Sequence, residues 1–116
     1  MGLMLYGGNR YSFEDRQLAH IKVALQRKLR KQECFLMSWT VEPSDGSGRV
    51  SLWMSPAIPL AFHFSGSRQP VLNEEWLAVL EHTSHSPRGL VLIPEQDAEA
   101  LAQKLKKKSQ QGITQA

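Results

Sequence analysis

Between Asp15 and Gln32 the apolar residues Leu18, Ile21, Leu25 and Leu29 recur at helical spacing. At ~100° per residue they fall in one stripe about 80° wide, so the segment predicts a helix over 15–32 with a single face to bury. Such a helix needs a sheet or other helices against its stripe, and that requirement shapes the rest of the chain. Ser12 and Asp15 resemble a capping box at its start. The side opposite the stripe carries Arg16, His20, Arg27, Arg30 and Lys31, with Lys22 and Lys28 flanking it and no acid between Asp15 and Glu33.

Strand patterns supply the partner. Leu3–Tyr6 and Arg10–Phe13, joined by Gly7-Gly8-Asn9, predict a hairpin, because the joining residues tolerate positive φ. Cys34–Glu42, a turn over Pro43–Gly48, Arg49–Ser55, a bend between Pro56 and Pro59, and Leu60–Phe64 predict a three-strand meander. Period-two counting puts Phe35, Met37, Trp39, Val41, Val50, Leu52, Met54, Leu60, Phe62 and Phe64 on one face. Ser38, Thr40, Ser51, Trp53, Ser55 and His63 fall on the other. A second helix near 73–83 begins at Asn73, a good N-cap, and His85–Gly89 breaks it. Leu90–Ile93 predicts a later strand, and 95–108 a last helix that decays into a flexible tail over 109–116. The expectation is one α+β domain over 1–108: a mostly antiparallel sheet of hairpin, meander and one later strand, with two or three helices packed on one face.

At 116 residues the chain has room for one core. Fourteen Lys+Arg against 11 Asp+Glu give a net charge of +3, which permits a polyanionic partner without demanding one. Cys34 has no second cysteine to pair with, which favours a reducing compartment. The first apolar stretch is too short for a signal-peptide core, and no run approaches the ~20 apolar residues of a membrane span. A cytoplasmic protein without a membrane partner is expected.

No catalytic motif stands out, and no cofactor is implied. G-x-S-x-G, Walker and G-x-G-x-x-G signatures are absent. His82 and His85 share helical i, i+3 spacing but lack a third ligand nearby, so a polar helix end near the dipole accounts for them and no metal site is assigned. Cys34 would need a histidine such as His63 or His20 to act as a nucleophile, and the sequence brings none beside it. The acidic pairs Glu14-Asp15 and Glu74-Glu75 sit at helix starts, where the dipole explains them.

Two features point to binding. A helix face of one charge sign fits the phosphates of DNA or RNA, with Arg16, His20, Arg27, Arg30 and Lys31 joined by Arg49 and Arg68; a solvated basic surface is the plain alternative. Trp53 and His63 on the open sheet face predict base stacking or, equally, an interface with a second copy or a protein partner. The leading expectation is a small non-catalytic nucleic-acid-associated binding protein. The alternative is a protein–protein adaptor or homodimer through the Trp53 face.

The segments DRQLAHIKVALQRKLRKQECFLMSW (15–39), GRVSLWMSPAIPLAFHFSGSRQPVLNEEW (48–76) and GLVLIPE (89–95) together resemble a family of short actinobacterial proteins of uncharacterised function. The resemblance runs from Tyr6-Gly7 to about Glu95. Members often carry the name ATP-dependent DNA ligase. That chemistry needs a lysine nucleophile in a K-x-D-G setting, whereas Pro43 stands two residues before Asp45-Gly46. The chain is also too short for a nucleotidyltransferase core plus a clamping domain. The resemblance implies a link to DNA and no residue roles.

Overall fold

The computed structural model describes the backbone of residues 1–41, 46 and 48–115, with side chains through 107. In chain order the elements are β1 (Gly2–Tyr6), β2 (Asn9–Phe13), α1 (Asp15–Leu29), β3 (Phe35–Val41), β4 (Gly48–Met54), β5 (Leu60–His63), α2 (Glu74–Thr83), β6 (Leu90–Val91) and α3 (Glu95–Gln115). The fold is α+β, with two mostly antiparallel three-stranded sheets ordered β2-β1-β5 and β4-β3-β6.

The meander does not form. β3 and β4 pair as expected, Phe35 opposite Met54 through Val41 opposite Gly48, although most of the turn expected over Pro43–Gly48 lies outside the described residues. The next strand leaves β4. Ile58 N–H closes a turn onto the Ser55 carbonyl at 3.3 Å, and the Pro59 carbonyl accepts from Gly7 N–H at 3.4 Å. Pro56 and Pro59 cannot donate to a ladder, so the chain crosses over and β5 pairs with β1 instead, Leu3 opposite His63. The strand expected over Leu90–Ile93 is two residues long and runs parallel to β3. α3 continues to Gln115, past the end expected near 108; no proline interrupts it.

The stripe of α1 behaves as its spacing requires: Leu18, Ile21 and Leu25 are fully buried, in one cluster with Met4, Phe13, Met37, Met54, Leu80 and Leu90. Each such side chain contributes roughly 1.5–3 kcal/mol of transfer free energy. Trp39 joins the two sheets from the inner face, edge-on to Tyr11 at 5.4 Å and Phe13 at 5.2 Å. Tyr6 Oη also bridges them, donating to the Trp53 carbonyl at 2.6 Å and accepting from Ser55 N–H at 3.0 Å. α1 stops at Leu29, where a turn with Gln32 at φ 60° ends it before residue 32. Ser12 does not cap this helix. Its N-cap is Glu14, without a side-chain bond, and the Asp15 carboxylate instead accepts from Ser65 N–H and Gly66 N–H.

A polar hub pins the three helices together. Asn73 caps α2 as expected, its Oδ1 accepting from Glu75 N–H and Trp76 N–H. Its Nδ2 donates to Glu95 at 2.8 Å and Glu99 at 3.0 Å. Arg16 grips the Glu95 carboxylate with Nε at 2.9 Å and Nη2 at 2.7 Å. Those hydrogen bonds, from Arg16 first and Asn73 second, pull the Glu95 pKa from 4.5 to about 2. A carboxylate whose pKa is lower folded than unfolded stabilises the fold above about 4.5, and that contribution is lost as pH falls toward 2. Glu95→Gln should therefore lower the thermal midpoint at pH 5, with the gap to the native chain closing by pH 2. Asp15, lowered by Gly66 N–H and then Ser65 N–H, titrates in the same direction. It does so in both chains and cancels from the comparison. A gap independent of pH would contradict the ion pair.

Candidate functional site

The residues expected to meet phosphates part company in the structure. His20 is 0% exposed. Its Nδ1 donates to the Arg16 carbonyl at 2.8 Å, its Nε2 accepts from Asn73 N–H at 2.8 Å, and its ring stacks on Trp76 at 4.3 Å. It is a core residue and leaves the surface set. Arg16 is committed to Glu95 and to the Val71 carbonyl at 3.1 Å, so it docks α3 and the 64–72 loop onto α1. Lys28 pairs with Glu33 at 3.2 Å and lies over the Phe35 ring, and Lys22 lies over Phe64. The single-sign face thus shrinks to Arg27, Arg30 and Lys31, all exposed at the end of α1. Even there Arg27 and Lys31 line a small cleft with Glu33, Glu81 and His85, while Arg30 faces the Ser55–Leu60 turn. Arg68 lies elsewhere, with Lys22 and Phe64 around a hollow of about 340 Å³.

The outer face of the β4-β3-β6 sheet is more coherent. Cross-strand register sets Arg49 opposite Thr40, Ser51 opposite Ser38 and Trp53 opposite Leu36, with Val91 of β6 beside Ser38. Residues directly opposite share a face, so these side chains form one continuous surface. Trp53 is 61% exposed, a large apolar area left to solvent. A groove of about 610 Å³ lies along this sheet, lined among others by Ser38, Thr40, Arg49, Ser51, Arg88 and by Leu36, the cross-strand partner of Trp53. Ser38 Oγ and Ser51 Oγ lie 3.0 Å apart, and Ser38 Oγ donates to the Arg88 carbonyl at 3.3 Å. Two guanidinium groups, three hydroxyls and one open indole can offer charge, hydrogen bonds and a stacking surface to a single ligand.

Nothing in the sequence marks Arg88, because His-Ser-Pro-Arg-Gly has the composition of a helix breaker and nothing more. Gly89, at φ 76° and packed against the Leu36 carbonyl, is the signal that could have found it. A left-handed residue touching β3 fixes where its neighbour stands. His63, by contrast, is not part of this surface. It is exposed on β5, in the other sheet, opposite Leu3, because the chain crosses over at Pro56–Pro59.

Cys34 is exposed just before β3, and both ring nitrogens of His20 are already bonded. Among the described residues no group of three His, Cys, Asp or Glu side chains converges on a metal position, and no helix is long and apolar enough to cross a membrane. Neither a curated protein nor a solved structure matches the chain. Residues 1–95 match the family described as a domain of unknown function, DUF7882. That match ends at Glu95, the α3 residue held by Arg16, and covers both sheets, α1 and α2; the chain belongs to this family.

Proposed function

We propose that the chain is a small, non-catalytic binding protein that takes single-stranded DNA or RNA on the outer face of the β4-β3-β6 sheet. The observation that carries this reading is the exposure of Trp53 on the same open face as Arg49 and Arg88. Aromatic side chains on open sheets stack unpaired bases, and arginines beside them meet the phosphates. A duplex keeps its bases stacked inside and offers this indole nothing, so the reading favours single strands. Arg27, Arg30 and Lys31 would extend the electrostatic attraction from the end of α1, as the net charge allows. The ligase name carried by actinobacterial chains that resemble this one agrees with a role near DNA, while the missing K-x-D-G lysine argues against ligation.

Fluorescence anisotropy of labelled single- and double-stranded oligonucleotides tests the proposal. Single strands should bind more tightly than duplex. Two phosphate contacts predict a log–log salt slope of about −1.4, from ~0.7 per phosphate on a single strand. Trp53→Ala should weaken binding by roughly tenfold or more, since one base stack is worth ~1–3 kcal/mol. Equal affinity for duplex, or indifference to Trp53→Ala, would overturn it.

A further inference from the structure

We propose that the hollow between α1 and the 64–72 loop binds an apolar monocarboxylate, its chain on the apolar wall and its head at Lys22 and Arg68. The hollow shares no lining residue with the sheet groove, and the inference stands without the nucleic-acid reading. Ala19, Lys22, Val23 and Gln26 stand at i, i+3, i+4 and i+7, so they form one side of α1, beside the stripe that enters the core. The loop faces that side, and two adjacent residues of the helix's first turn hold it at both ends. The Asp15 carboxylate accepts from Ser65 N–H at 3.2 Å and from Gly66 N–H at 2.8 Å. Arg16 Nη1 donates to the Val71 carbonyl at 3.1 Å. The space between, about 340 Å³, is thus built into the fold, and it falls within the range of small-ligand sites.

The lining decides the chemistry of the ligand. Ala19, Val23, Phe64, Pro70 and Leu72 supply an apolar wall. Leu72 stays 36% exposed in the free chain, and an occupant that covers it gains the hydrophobic term. Lys22 and Arg68 are the charged residues of the lining, and no carboxylate stands with them. Among the described residues neither one makes an ion pair; Lys22 Nζ instead lies 5.7 Å from the centre of the Phe64 ring. Two cations at one apolar hollow repel each other, and an anion relieves that repulsion. Arg68 offers a carboxylate a two-pronged fork, while Gln26, Ser67 and Gln69 add neutral donors. A free phosphate would leave the apolar wall wet, and a neutral apolar molecule would leave both cations without a partner. A single carboxylate on a short apolar body satisfies both halves of the site.

Backbone amide shifts of the ¹⁵N-labelled full chain, followed as sodium octanoate is added, test this. Octanoate should move the amides of Ala19–Gln26 and Gly66–Leu72, with a Kd of about 1 mM or tighter. Acetate, which is the head without the body, and octanamide, the body without the charge, should each bind about tenfold more weakly or worse. Lys22→Gln and Arg68→Gln should each weaken octanoate about fivefold. Both positions are exposed, and an otherwise unchanged amide spectrum would show the fold intact. Trp53→Ala should leave octanoate binding as it is, which separates failure of this inference from failure of the oligonucleotide reading. Octanoate shifts centred on the sheet groove, equal affinity for acetate or octanamide, or indifference to both glutamine variants would each overturn it. So would the lack of a saturable shift up to about 10 mM.

Discussion

Gly89→Ala is expected to destabilise the chain by more than ~3 kcal/mol, enough to threaten folding of a domain this size. Gly89 sits at φ 76°, and a Cβ built there would lie 2.1 Å from the Leu36 carbonyl oxygen and 2.7 Å from the Leu36 carbonyl carbon. The left-handed conformation alone costs an alanine about 1 kcal/mol. The clash is the larger part, because Leu36 O belongs to the backbone of the central strand β3 and cannot step aside without disturbing its ladders to β4 and β6. Gly8→Ala provides the contrast: φ is 86° but no atom lies within 4 Å of the added Cβ, so only the ~1 kcal/mol conformational cost remains. Urea unfolding of the two variants would measure the difference. Equal costs would mean that β6 is not held against β3 as described, and Arg88 would then lose its fixed place beside the groove.

His20→Ala is expected to lower stability by about 3 kcal/mol, a drop of roughly 10 °C in thermal midpoint. Three losses combine. The Asn73 N–H is left without its acceptor at the start of α2, the ring stacked on Trp76 is removed, and a cavity opens where no exposure existed before. Arg27→Ala, on the residue the helical wheel sets beside His20, should change stability by less than ~0.5 kcal/mol, as an exposed helix position does. The pair separates two readings of one helix. A surface histidine would make both changes equally mild, and thermal unfolding by circular dichroism decides between them.

Local pattern carried much of the fold into view. The spacing of Leu18, Ile21 and Leu25 identified the buried side of α1, Asn73 identified the cap of α2, and period two identified which of Met37 and Ser38 faces the core. Each of these depends on neighbours within a few residues. What the sequence concealed depends on partners far along the chain. Whether β5 would pair with β4 or β1 turned on the Gly7–Pro59 contact, which no periodicity encodes. His20 lay on the polar side of the wheel, yet Asn73 and Trp76, more than fifty residues away, enclose it. The same distance effect consumed Arg16 through Glu95. The candidate site was half legible: Ser38, Thr40, Ser51 and Trp53 follow from alternation, whereas Arg49, expected beside the basic helix, stands opposite Thr40 on this face, Arg88 arrives from a loop anchored by Gly89, and His63 departs with β5.

The claim that the β4-β3-β6 face is where a ligand binds is tested most directly by mapping backbone amide shifts in a ¹⁵N-labelled sample as an unlabelled pyrimidine oligonucleotide is added. Shifts concentrated at Ser38–Thr40, Arg49–Trp53 and Arg88–Val91, with the Trp53 indole N–H moving most among the three tryptophans, are the predicted result. Shifts confined to the end of α1, at Arg27, Arg30 and Lys31, or no shifts at low salt, would contradict it.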